Sequence, residues 1–235
     1  MNSIFVAVQF QSGERVIING DYLAALRERH KLDLGRTYAL GLEGRGRALA
    51  ELTVLTDHEA TFQICGPVEP LQREPIKLIV GIARPQTVKK VLHVASSFGV
   101  TELVFIRSER AEKSYFQSAV LLPQHLRDEV ILGVEQGWDH ELPQVTVLDR
   151  FRPFVEDELT KQTGRKIILS TRTAIADQPT GPIKEQLTLA VGPEAGWNEF
   201  EEELLIKAGF SPLSLGKRML RVEVALAVGL GRLQF

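Results

Sequence analysis

Along the first 70 residues apolar and polar positions alternate over short spans. Beyond Pro75 the pattern becomes one of unbroken apolar runs separated by amphipathic stretches. The early runs SIFVAVQF, RVIING, TYALGLEG, RALAELTVLT and EATFQICG are rich in Val, Ile, Phe, Thr and Tyr, and turns containing Gly divide them. Such runs predict short strands. Between the second and third, DYLAALRERHKL puts Leu23, Leu26 and His30 along one helical face, with Asp21 as the cap. The expectation is a small β-rich domain over residues 1–70. A cluster of Pro and Gly, CGPVEPLQREP, marks the linker that ends it.

Over residues 71–235 the apolar runs IKLIVGI, TELVFIRS, QVTVLD, RKIILS, TLAVG and SPLSL alternate with helical patterns. These are RPQTVKKVLHVASSFG, residues 123–137, FRPFVEDELTKQTG, residues 198–208 and the closing RVEVALAVGLGRLQF. Strands alternating with helices of crossover length predict an α/β fold, a mostly parallel sheet covered on both faces. The closing helix carries Val222, Val224, Ala225, Leu226, Val228 and Leu230 around nearly its whole circumference. A helix apolar on all sides needs a second surface to cover it, which points to another subunit. Residues 170–186 are small, polar and Pro-containing, and read as a long loop available to a pocket.

Charge narrows the range of functions. Lys plus Arg number 28 against 30 Asp plus Glu, a formal net charge of -2, so no overall basic excess draws nucleic acid from a distance and any RNA surface is a local patch. The lone Cys65 excludes an intrachain disulfide, and the five His show no metal-ligand spacing, so no metal is expected. No apolar run nears the roughly 20 residues that cross a bilayer, and MNSIFVAVQF lacks the basic start of a signal peptide. A cytoplasmic protein without membrane partners is the expectation.

In a parallel sheet ligands bind beyond the carboxyl ends of the strands. Three loops belong at that edge. Ser170 and Thr171 follow KIIL; Gly192, Pro193, Glu194, Ala195 and Gly196 follow LAV; Ser214, Leu215 and Gly216 close SPLSLG. The glycines allow close backbone approach and Pro193 stiffens the bend, which suits a nucleoside held by backbone groups. A triphosphate does not suit the loop, since Glu194 stands where a phosphate cradle needs Lys. Glu194 either holds a polar or cationic part of a ligand or caps the helix after Gly196, although Asn198 with Glu201 is the better cap there. Lys217, Arg218 and Arg221 crowd the start of the last helix, where positive charge opposes the helix dipole, so they are either phosphate contacts or a solvated charge run. Arg27, Arg29 and Lys31 in RERHK form a second basic spot.

LAVGPEAGWNEFE and LSLGKRMLRVEVA resemble motifs of the ribosomal small-subunit RNA uridine N3-methyltransferases, a family of the SPOUT class. That family writes them as GPEGG and as LG, a basic region, ILR and TETA. YLAALRERHKLDLG is similar to its N-terminal signature, and Glu135-Gln136 before Pro143 to its central EQ. The resemblance implies a PUA-like β-barrel over residues 1–70 that binds RNA through Arg27, Arg29 and Lys31. It also implies a SPOUT-type parallel sheet over residues 71–235 with a C-terminal trefoil knot. The methyl donor S-adenosylmethionine is implied in a pocket of Ser170, Thr171, Gly192, Pro193, Glu194, Ala195, Gly196, Ser214, Leu215, Gly216, Met219, Leu220 and Arg221. Arg221 and Glu194 are the implied catalytic residues, Lys217 and Arg218 further RNA contacts. Implied partners are 16S ribosomal RNA or the assembled small subunit, and a second copy joined through the knotted region. The chain departs from the family at Ala195, at Val222 and Val224 in place of Thr, at ASSFGV where ATELGV stands, and in GWDHELP, which lacks an Arg. These departures keep a second reading open, a catalytically silent or altered-substrate RNA-binding or ribosome-assembly protein.

Overall fold

The computed structural model describes residues 2–73, 75–172 and 185–234 and divides into two compact units, Met1–Gln72 with Ile131–Leu142, and Arg73–Val130 with Pro143–Phe235. Residues 173–184, most of the loop expected from the sequence, lie outside the described residues.

In the first unit the strands are β1 (Ile4–Val6), β2 (Gln11–Ser12), β3 (Arg15–Asn19), β4 (Thr37–Leu42), β5 (Gly46–Leu55) and β6 (Glu59–Ile64), with helix α1 (Gly20–Arg29) between β3 and β4. Their ladder runs β1-β4-β5-β6-β3-β2, with β1 parallel to β4 and the remaining pairs antiparallel. The ladder has two ends where a closed barrel has none. Alternating Ile4, Val6, Leu40, Leu42, Leu52 and Phe62 form its core with Leu23 and Leu26 of α1, as their spacing predicts. Two local expectations are corrected. SIFVAVQF is not one strand: after Val6 the chain makes a 3-10 turn over Val8–Phe10, with Val8 exposed. Asp21 is not the cap of α1 but lies in its first turn, where its charge still favours the helix dipole; Asn19 holds the cap position.

The second unit contains β7 (Ile76–Gly81), α2 (Pro85–Ser97), β8 (Glu102–Ile106), the single turn α3 (Lys113–Phe116) and α4 (Pro123–Gly137). After these come β9 (Gln144–Leu148), α5 (Phe151–Pro153), β10 (Arg165–Leu169), β11 (Leu187–Val191), α6 (Glu199–Lys207), β12 (Ser211–Leu213) and α7 (Val222–Gln234). The sheet order is β12-β10-β11-β7-β8-β9 and every pairing is parallel. Central β7 and β11 are buried throughout, which explains their unbroken apolar runs. On one face Ile79, Val104, Ile168 and Ala190 pack with Phe154, Leu159, Trp197 and Leu205. On α7, Gly229 lets the helix approach Leu169 and Leu189 closely, and α7 packs on α2. FRPFVEDELTKQTG forms less regular helix than its pattern predicts, passing from α5 through a π turn at Phe154–Glu158 to a 3-10 turn at Leu159–Lys161. Buried Lys166 ties this segment to α6 by donating from Nζ to the carbonyls of Leu159 (2.6 Å) and Ala208 (3.1 Å).

The end of α4 and the residues after it belong to the first unit. Glu135 explains why. Its carboxylate accepts from the Phe5 amide (3.2 Å) and meets Arg29 and His30, each at 3.3 Å, while its carbonyl accepts from the amide and hydroxyl of Ser3. A carboxylate that is 2% exposed persists only with such partners. Among the described residues no helix is long and apolar enough to cross a membrane, and no cluster of His, Cys, Asp and Glu is placed to hold a metal.

Candidate functional site

Because all strands of the second unit run the same way, their carboxyl ends share one edge. The chain leaves β10, β11 and β12 there in loops that line one cleft. Ser170, Thr171, Gly192, Pro193, Glu194, Ala195, Gly196, Leu215, Gly216, Met219 and Leu220 all line it, and Arg218 joins them. Ser214 lies buried just behind, its hydroxyl accepting from the Gly216 amide. Lys217 lines a neighbouring hollow, and Arg221 a second groove that shares Glu194 with the cleft.

The loop after β11 is shaped by close approaches. A Cβ on Gly192 would lie 2.8 Å from the Trp197 backbone nitrogen and 2.9 Å from the Gly196 Cα, so the loop closes on itself only with Gly there. A Cβ on Gly81 of β7 would lie 2.4 Å from Pro193 Cδ, so this strand end seats the proline. Asn198 and Glu201 form the expected reciprocal cap at the start of α6, at 2.7 and 2.9 Å.

Glu194 therefore does not cap the helix that follows Gly196, although it does line the cleft. Its Oε1 accepts from the backbone N–H of Arg84 (3.1 Å) and from the Thr87 hydroxyl (3.0 Å), so it caps α2, a helix more than 100 positions earlier. A carboxylate at a helix start satisfies unpaired amide donors and complements the dipole. The loop is therefore fastened to α2 through Glu194 and to β7 through Pro193.

Other residues of the cleft escaped sequence reasoning. Arg110, from the loop after β8, donates to the carbonyls of Ala195 (2.9 Å) and Trp197 (3.4 Å). Glu202 of α6 accepts from the Ser170 hydroxyl (2.5 Å) and lies 3.7 Å from Arg172. Glu202 stands in the run EFEEEL, where nothing separates a buried acid from solvated ones. Trp197 is buried in the wall, and its indole Nε1 has no hydrogen-bond partner among the described residues. Glu202 is already met by Arg172, and Arg110 is tied to backbone carbonyls. Backbone groups, apolar Val191, Leu213 and Ala225 and the carboxylate of Glu194 are therefore the groups that suit a neutral or cationic nucleoside. They fit S-adenosylmethionine, whose sulfonium and amino groups are cationic.

In the second groove Glu223 lies at the base of α7. Burial works against its charge, but its own backbone N–H, Lys90 at 3.1 Å and the charge of Arg221 hold its carboxyl below the usual range. Arg221 itself is exposed, and its guanidinium makes no hydrogen bond or ion pair among the described residues. The basic spot of the first unit is partly committed. Arg27 donates to the Thr56 carbonyl and Arg29 meets Glu135, while Lys31 is exposed.

A family-wide pattern for the RNA methyltransferase domain matches residues 70–234. Ribosomal RNA small subunit methyltransferase E of Treponema pallidum (strain Nichols) is 28% identical over 204 residues, which cover 83% of this chain and 75% of the relative. A crystal structure of ribosomal RNA small subunit methyltransferase E from Neisseria gonorrhoeae, bound to S-adenosyl methionine, has a similar fold. Its TM-score is 0.78 at 24% identity, covering 97% of this chain and 95% of that one. A Legionella pneumophila protein in complex with bound SAM gives 0.75 at 20% identity, with 98% and 96% covered. Two of the loops that build the cleft, after β11 and after β12, lie within the matched span together with the β10 loop that faces them, and on that match the chain belongs to the RNA methyltransferase domain family.

Proposed function

We propose that the protein transfers a methyl group from S-adenosylmethionine to N3 of a uridine in 16S ribosomal RNA. The observation that carries this reading is the convergence of the β10, β11 and β12 loops on one cleft of backbone, apolar and acidic groups, in a chain of the RNA methyltransferase family. The similarity to small-subunit methyltransferase E of Treponema pallidum supports the ribosomal substrate. Its motif resemblance supports the uridine.

When bound, the cofactor supplies a methyl group carried on a sulfonium. The residues of the chain then have to align the base nitrogen and favour loss of its proton as the new N–C bond forms. Arg221, exposed at the mouth of the second groove, lowers the cost of negative charge on the base. Glu194 serves by holding the loop to α2, as a positioning residue. Residues 1–70 act as a PUA-like RNA-binding domain and 71–235 as the methyltransferase domain, with the C-terminal knot expected for this family. Two copies pair through α7, whose Val224 and Val228 remain 41% and 46% exposed, Val228 in one hollow with exposed Leu220. Work on the ribosome places the protein in the cytoplasm.

Nucleoside mass spectrometry of 16S RNA from cells with and without the gene tests the reading, together with transfer to purified small subunits. 3-Methyluridine is expected to disappear with the gene. Arg221→Ala is expected to keep cofactor affinity and lose most transfer. Unchanged 3-methyluridine with no transfer by the intact protein would leave the silent RNA-binding reading in its place.

A further inference from the structure

Beside the cleft runs the second groove, about 950 Å3, lined by Arg84, Lys90, Tyr115 and Arg221 with the carboxylates of Glu194 and Glu223. Glu194, Met219, Leu220 and Val222 line both cavities, so whatever lies in one borders the contents of the other.

Arg84 is held there at two points. Its backbone N–H donates to Glu194 Oε1 (3.1 Å), and its side-chain Nε donates to the Tyr115 hydroxyl (3.3 Å). That hydroxyl gives its own proton to Glu112 Oε1 (2.8 Å), so its oxygen is left to accept from Arg84. The side chain is exposed, and no carboxylate forms an ion pair with it among the described residues. Both terminal amino groups, Nη1 and Nη2, make no hydrogen bond among them. Lys90, by contrast, is matched by Glu223 at 3.1 Å. An exposed arginine fixed through Nε, with its planar fork still open, is prepared for two parallel hydrogen bonds to one tetrahedral anion.

We infer that Arg84 is an RNA phosphate contact, its fork taking the two non-bridging oxygens of a phosphodiester next to the nucleotide presented to the cleft. Tyr115 is its positioning residue. The inference rests on the reading of the protein as an RNA methyltransferase. It adds that the cofactor loop and the strand contact are joined through one carboxylate, since Glu194 caps α2 at Arg84, the residue before its first turn.

The test measures binding of a 16S RNA transcript to the full-length protein over a series of salt concentrations, alongside calorimetric cofactor titration and steady-state transfer. Removing one phosphate contact lowers the slope of log affinity against log salt by about 0.7 to 0.9. Arg84→Ala is expected to show that loss, and Arg84→Lys to restore the slope with only part of the affinity. Tyr115→Phe is expected to keep the slope and raise KM several-fold with little change in kcat. All three are expected to bind the cofactor as the parent does, which also reports that they fold. An unchanged slope and affinity in Arg84→Ala overturns the inference, as does a fall in kcat alone, which would place Arg84 on the reacting base. A wild-type protein that shows the Arg84-dependent slope but methylates no RNA sinks the proposed activity and leaves the phosphate contact standing.

Discussion

Gly81→Ala tests whether the end of β7 sets the shape of the loop after β11, and with it the proposed cofactor site. Gly81 does not line the cleft, yet its added Cβ would stand 2.4 Å from Pro193 Cδ and 2.8 Å from Pro193 N. Carbon atoms rest about 3.5 to 4.0 Å apart. Pro193 must therefore retreat by at least about 1 Å, and because Cδ is bonded to the backbone nitrogen, itself 2.8 Å from the added Cβ, the main chain has to move with it. Overpacking of this kind costs about 1 to 3 kcal/mol. The same retreat stretches the Glu194 bonds, now 3.1 and 3.0 Å, beyond hydrogen-bonding range and removes an α2 cap that contributes about 1 kcal/mol. The expected loss is thus about 2 to 4 kcal/mol, seen as a lower urea midpoint with an unchanged slope. Cofactor affinity is expected to fall about tenfold or more, the equivalent of about 1.4 kcal/mol. Gly66→Ala is the control, since nothing lies within 4 Å of its added Cβ, and it should move neither measurement. A Gly81→Ala protein with the parent's midpoint and cofactor affinity would refute the idea that the strand seats the loop.

Further outcomes are expected elsewhere. Burial opposes the charge of Glu129, but Lys89 and His93 hold its carboxyl below the usual 4.5, so its stabilisation is present above the unfolded value and vanishes as pH falls through the folded one. Glu129→Gln should cost about 1 kcal/mol at pH 7 and nothing in strong acid; a deficit that persists in acid contradicts the pairing. Burial alone lowers the pKa of Lys166 from its ordinary 10.5, so the unfolded chain holds that proton more tightly and stability gains as pH rises from the folded value towards 10.5. Unfolding free energies of the parent and of Lys166→Met across that window should diverge by this increment, and parallel curves would contradict it. Val228→Asp, on the exposed side of α7, should convert a dimer to a monomer in sedimentation at low micromolar concentration, whereas a monomeric parent would remove the proposed interface.

The sheet of the second unit was legible because its central strands are buried on both faces and give unbroken apolar runs. The meeting of the three loops in one cleft followed from that, since parallel strands bring their carboxyl ends together. Asn198 with Glu201 was legible as well, because a reciprocal cap needs only neighbouring residues. Glu194, Arg84 and Tyr115 were different. Their partners are distant in sequence, and no local pattern distinguishes a carboxylate that caps its own helix from one that caps a helix 110 residues earlier. The division near residue 70 rested on a change of periodicity. The same periodicity could not reveal that Ile131–Leu142 returns to the first unit, since residues 123–137 have the helical pattern of any crossover.

That return bears on how the chain is made on the ribosome. Domains tend to fold as they emerge, the first ahead of the second. Here the N-terminal unit is still without Glu135 when residue 72 has emerged, so Phe5, Arg29 and His30 lack the carboxylate that they surround in the finished protein. Its completion waits for residues 131–142, and by then β7, α2 and β8 of the second unit have already been synthesised. The two units mature in an overlapping order, and a fragment ending at residue 72 holds the whole apolar core of its unit but lacks the segment that brings Glu135 to Phe5, Arg29 and His30.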